Sequence, residues 1–88
     1  MRSGIVPLAN RWGMHARLAF HLASEAGRFT CAVRLGNHGR SADGKEIMSL
    51  LMLEAVPGDE LRLETQGDDE DAAYDALTNF LLNDAKLL

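Results

Sequence analysis

Positive charge, cysteine and long apolar runs are all in short supply in this sequence. Nine basic side chains stand against 13 acidic ones, for a formal charge of −4. That balance offers no broad cationic surface to a nucleic-acid backbone, and nucleic acid is set aside as a partner. Cys31 is the only cysteine, so an internal disulfide is impossible. Such usage agrees with a cytoplasmic location. No apolar stretch is long enough to span a membrane, and the opening residues do not read as a signal peptide. No stable membrane association is expected. Repeats, linkers and low-complexity segments are missing as well.

Several chemical signatures are absent too. The three histidines, His15, His21 and His38, form no zinc-ligand spacing with other donors, so no metal is expected. There is no glycine-rich phosphate loop with its lysine and no GxSxG elbow. The 88 residues suffice for one domain, spanning 1–88, with little room for a large enclosed ligand. No cofactor is expected, and a surface site is.

What is present is clear patterning. Ser3 to Leu8 reads as a strand with Ile5, Val6 and Leu8 as candidate core contacts, and Pro7 marks an edge or a solvent-facing donor position. Ala16 to Ala26 reads as a helix, because Leu18, Ala19, Leu22, Ala23 and Ala26 fall on one face. Gly27 stands where a helix stops with a positive φ. Phe29 to Leu35 alternates as a strand, Gly36 to Gly39 as a turn, and Arg40 to Ala42 as a short return strand. Ile47 to Leu53 is almost wholly apolar, and its leucine and methionine content favours helix. Glu60 to Thr65 alternates again after the turn at Pro57-Gly58-Asp59. A last helix begins near Asp68, its expected cap, with Ala72, Ala73, Ala76, Leu77, Phe80 and Leu81 on one face. The order is β-α-β-β-α-β-α, an α+β arrangement. One sheet face is covered by helices, and the other is wetted by Arg34, Arg62 and Glu64.

The chemistry centres on Arg11 to Arg17. His15 directly precedes the first helical periodicity. The first N–H groups of a helix lack intrahelical partners and, with the helix dipole, form an anion site. A neutral imidazole there is a nucleophile towards phosphorus, and the amides of Ala16 and Arg17 can meet the added negative charge. Arg17 brings a forked cationic donor. Position alone is also satisfied by an ordinary surface or capping histidine.

The stretch Gly13-Met14-His15-Ala16-Arg17 resembles the phosphorylation motif of the HPr family, the histidine-containing phosphocarriers of the bacterial phosphoenolpyruvate-dependent phosphotransferase system. The resemblance continues through Gly44-Lys45-Glu46-Ile47-Met48, Leu50-Leu51-Met52-Leu53, the turn at Gly58 and the last helix. It implies an open-faced β-sandwich, a four-stranded antiparallel sheet with three helices on one side. It implies that His15 takes a phosphoryl group on Nδ1 from phosphorylated enzyme I, assisted by Arg17. His15 then passes it to the A domain of a permease or of a regulatory counterpart. It also implies that Phe20, Ile47, Met48 and Leu51 dock partners.

Three positions depart from that pattern. Leu18 stands where the family usually has proline, which frees one more amide near the phosphate and loosens the helix start. Glu46 replaces a serine that many Gram-positive members use as a regulatory phosphorylation site. It is either a solvated residue at a helix N-terminus or a permanent partial mimic of the phosphorylated state. Trp12 replaces a small polar residue and is a docking anchor, a lid over His15 or a partly packed loop residue. Arg11 to Arg17 is similar to the nitrogen-related branch of the family. A regulatory interaction module switched by His15 phosphorylation is therefore the alternative to a sugar-transport carrier. A standalone enzyme is disfavoured, because no enclosed acid–base pair is visible.

Overall fold

The computed structural model describes residues 1–88. The chain runs β1 (Arg2–Pro7), α1 (Ala16–Ala26), β2 (Ala32–Asn37), β3 (Arg40–Asp43), α2 (Ile47–Leu51), β4 (Glu60–Gln66) and α3 (Glu70–Leu82). A 3-10 turn over Asp84–Leu87, not foreseen from the sequence, follows α3. The strands form one antiparallel sheet in the order β1-β4-β2-β3. This is an open-faced β-sandwich with its helices on one face, the expected fold.

Strand alternation decides which face is dry. Val33 lies beside Thr65, and Leu35 lies between Leu63 and Ala42. All five are buried against the helices. Arg34 and Arg62 are exposed on the other face, and Glu64 is half-buried there. Ile5 joins them at 50% exposure, correcting its expected place in the core. Val6 and Leu8 point inward, so the period of two turns Ile5 outward. β1 is an edge strand, which accommodates Pro7 without losing a ladder donor.

Leucine fills the interior. Leu18 and Leu22 of α1, Leu50 of α2, Leu61 and Leu63 of β4, and Leu77 and Leu81 of α3 are fully buried. Each contributes roughly 1.5–3 kcal/mol of apolar transfer energy. That packing holds α2, whose five residues would not persist as a helix alone. α2 also stops two residues before the expected Leu53, and Glu54 then turns the chain at φ 52°.

Four further expectations are corrected. Gly27 ends α1 but keeps a right-handed φ of −66°, and its N–H donates to the Ala23 carbonyl. Asp69, not Asp68, occupies the cap position of α3. Its carboxylate faces away from α3 and accepts the N–H groups of Thr30 and Cys31, each at 2.9 Å. With those amides taken, β2 begins at Ala32 rather than Phe29. On α3, Ala72 is exposed, and the buried stripe is Ala73, Leu77, Phe80 and Leu81.

Candidate functional site

The loop between β1 and α1 is set by its backbone. Gly13 adopts φ +71°, a left-handed conformation natural to glycine. A Cβ there would sit 2.6 Å from the Ala55 carbonyl oxygen and 3.0 Å from the Val56 Cα. The loop therefore lies tightly on the segment after α2, and only glycine permits it. The Met14 N–H donates to the Ala55 carbonyl at 2.9 Å, and the Met14 side chain is buried. The next residue, His15, is extended (φ −121°, ψ 174°) and takes the cap position of α1.

No side chain caps this helix. Its first backbone bond is the Ala19 N–H to the His15 carbonyl at 2.9 Å. The N–H groups of Ala16, Arg17 and Leu18 therefore have no protein acceptor. They supply three donors at the positive end of the helix. The His15 ring is half-buried; its Nε2 is closed off from solvent without a protein partner, which leaves Nδ1 as the open nitrogen. Trp12, His15, Arg17 and Leu88 line a shallow open concavity of ≈ 490 Å³. Arg17 is exposed beside it. The molecule's arginine–carboxylate pairs lie elsewhere, joining Arg2 to Asp71 and Asp75, Arg28 to Glu25 and Arg40 to Glu54. An uncompensated guanidinium, three free amides and an open imidazole nitrogen can together receive a small oxyanion and bond to it.

The structure brings together the predicted site residues Trp12, His15, Ala16, Arg17 and Leu18. Trp12 is 67% exposed, with the Arg11 guanidinium 5.9 Å from its ring centroid, so it is neither a closed lid nor a packed residue. Leu18 is wholly buried. A helix start lacking the usual proline is thereby anchored through the core instead. Phe20, Ile47 and Met48 share a second groove with Lys45 and Glu46. Phe20 and Met48 are well exposed, Ile47 less so, and Leu51 is half-buried against the core. Glu46 takes the cap position of α2, exposed and with no cap hydrogen bond.

Sequence reasoning missed Leu88, Met52 and Val56. Leu88 reaches the concavity through the unforeseen 3-10 turn, for which no local pattern exists. Met52 and Val56 are exposed beyond the end of α2. Met52 belongs to the apolar run Ile47–Leu53, which did not show which members would face outward, and Val56 lies beyond that run.

The remaining reactive groups lie elsewhere. Cys31 is buried, and burial pushes its thiol pKa up, which leaves it a poor nucleophile. No group of three or more His, Cys, Asp and Glu side chains is arranged to hold a metal ion. No helix is long and apolar enough to cross a membrane.

Comparison with known proteins bears on this geometry. Residues 3–83 match the family model described as the PTS HPr component phosphorylation site. The chain is 42% identical over 79 residues to the phosphocarrier protein HPr of Pseudomonas aeruginosa, covering 89% of this chain and 88% of that protein. It is 38% identical over 73 residues to the phosphocarrier protein NPr of Proteus mirabilis, covering 82% and 81%. The crystal structure of HPr from Thermoanaerobacter tengcongensis superposes with a TM-score of 0.92 at 25% identity, covering 100% of this chain and 98% of that one. The chain belongs to the HPr family of the phosphotransferase system, whose members carry a phosphoryl group on a histidine.

Proposed function

We propose that His15 is the phosphoryl acceptor and donor, receiving the group from phosphorylated enzyme I and passing it to an A-domain acceptor. The observation that carries this reading is the His15 ring at the amino end of α1, with Nδ1 open and three unpartnered amides beside it. In the forward step the Nδ1 lone pair forms a bond to phosphorus. The bond from phosphorus to the donor breaks, and its electron pair stays with the donor. The same exchange in reverse delivers the group to the acceptor. Arg17 and the amides of Ala16, Arg17 and Leu18 hold the phosphoryl oxygens in both steps.

Docking uses Trp12, Phe20, Ile47, Met48 and Leu51. The exposed apolar surface of Trp12, Phe20 and Met48 beside the site supports this, since a small patch suits modest affinity and fast release. Enzyme I and the acceptor are soluble-phase partners in this scheme, which makes the protein cytoplasmic. Incubation with phosphoenolpyruvate and the cognate enzyme I should add one acid-labile phosphoryl group, located on His15 by mass spectrometry. Absence of label, with enzyme I shown to be competent, would sink the reading.

A second reading keeps the same site but makes it a switch. Phosphorylation at His15 then changes which regulatory partner binds. The similarity to the Proteus mirabilis NPr and the exposed Trp12 next to the charge-changing residue favour it. A partner whose affinity differs at least about 5-fold between the two phosphorylation states would support this reading over a simple carrier. Glu46 belongs to the same question. Exchange of Glu46 for Ser should alter transfer from enzyme I if the carboxylate imitates a modified serine, and leave it unchanged if Glu46 is only solvated.

A further inference from the structure

The peptide unit joining Gly13 to Met14 is held at both of its polar atoms. Its carbonyl accepts an N–H from Asn10 Nδ2 at 2.8 Å. Its own N–H donates to the Ala55 carbonyl at 2.9 Å. Asn10 is 1% exposed and makes the only side-chain hydrogen bond to any residue from Arg11 to Arg17. A buried amide side chain is costly unless bonded; this one bonds only through Nδ2, to the loop that precedes His15, and its Oδ1 is buried without a partner.

The held unit is the one most able to rotate. Turning it exchanges ψ of Gly13 against φ of Met14, and glycine puts no side chain in the way. That rotation would break both hydrogen bonds and swing the backbone entering His15. Met14, fixed by its buried side chain, and the cap of α1 follow directly. The placement of His15 at the helix start thus depends on a flexible joint locked from two sides. One lock is backbone, from the segment after α2. The other is the Asn10 side chain.

We infer that Asn10 is a positioning residue for phosphoryl transfer, holding the Gly13–Met14 peptide so that His15 presents its open nitrogen at the helix end. The inference rests on the reading of His15 as the phosphoryl acceptor. It touches no reacting atom, so its effect falls chiefly on turnover; of the docking side chains only Trp12 shares this loop, while Phe20 lies on α1 and Ile47, Met48 and Leu51 lie on α2.

The test compares Asn10→Ala and Asn10→Asp with the unsubstituted protein as acceptors from enzyme I. Asn10→Ala should lower kcat about 10-fold or more, since a misplacement of about 1 Å can cost about 100-fold. KM should stay within about 2-fold. Without any enzyme I, the Met14 amide should exchange with solvent faster, while the Gly44 amide, bonded to Val33, is little changed. Asn10→Asp loses its donor at neutral pH and regains one when protonated. Its rate relative to the unsubstituted protein at the same pH should therefore rise as pH falls. A normal kcat accompanied only by a lower melting temperature would overturn the inference, as would unchanged Met14 exchange or a flat pH ratio. Failure of the unsubstituted protein to take label strikes the His15 reading instead, and amide exchange separates the two failures.

Discussion

His15 and His38 both sit beside left-handed glycines, yet the structure gives them opposite surroundings. His38 has φ 49° next to Gly39 at φ 81°, at the tip of the β2–β3 hairpin. Its side chain is 74% exposed, and its Nε2 lies 3.2 Å from an oxygen of Asp59. His15 follows Gly13 at one remove, is half-buried at the amino end of α1 where three amides lack acceptors, and lines a concavity with Arg17. A carboxylate partner offers nothing to an anion, whereas free amides and a guanidinium can hold one. The residue type is the same; the neighbours separate a hairpin-tip contact from the proposed phosphoryl acceptor.

That contrast breaks most sharply on the two imidazoles. His15→Ala should abolish phosphoryl labelling, while His38→Ala should leave it within about 2-fold, both read by mass spectrometry after incubation with enzyme I and phosphoenolpyruvate. Label surviving in the first variant would erase the distinction. Next in size is Arg17→Ala, which should slow transfer about 100-fold, the usual scale for removing one stabiliser of developing charge. Rapid-quench kinetics would measure it, and an unaltered rate would show that the amides suffice.

The two glycines sharpen the comparison through stability. Gly13→Ala meets both a left-handed φ and the Ala55 carbonyl at 2.6 Å, so it should cost about 2–5 kcal/mol. Gly39→Ala meets nothing within 4 Å and should cost only about 1–2 kcal/mol. Urea denaturation of the two variants would show equal losses if the site loop were not clamped. The smallest effect concerns Asp59. Its carboxyl is held below the usual range, first by the Val56 N–H and then by His38. A depressed carboxylate stabilises the fold above its ordinary pKa of about 4, and that contribution fades as pH falls through the lowered value. Asp59→Asn should therefore melt earlier at pH 7, and the gap from the unsubstituted protein should close in acid. A gap independent of pH would mean that shape, not charge, holds this turn.

The hairpin turn and the site loop also differ in how much of each was legible. Gly36 to Gly39 announces a turn by composition alone; the turn forms, but only at His38 and Gly39, because Gly36 and Asn37 pair with β3 as the end of β2. The site loop showed its histidine, its arginine and its helix start in the sequence. It did not show Asn10 reaching forward to Gly13, because a polar residue in a loop has no periodic signature to say where its side chain points. Ile5 was misjudged by composition and corrected by alternation. Asp68 was expected as the helix cap; Asp69 takes that position, and its carboxylate ties the turn before β2 through partners 38 and 39 residues away in sequence. Leu88 entered the site only through a turn after α3 that local patterning does not encode.

Local order was therefore set by the chain itself: two amphipathic helices, alternating strands, and a histidine one residue before a helix. Short-range periodicity and helix-end chemistry act between neighbours, so they can be read residue by residue. Tertiary structure alone decided that Leu18 would anchor the helix start, that Phe20 and Met48 would stay uncovered, and that Gly13 would be pressed against Ala55. Those outcomes depend on which distant segments meet. Close packing, a property of the assembled whole, selects those meetings.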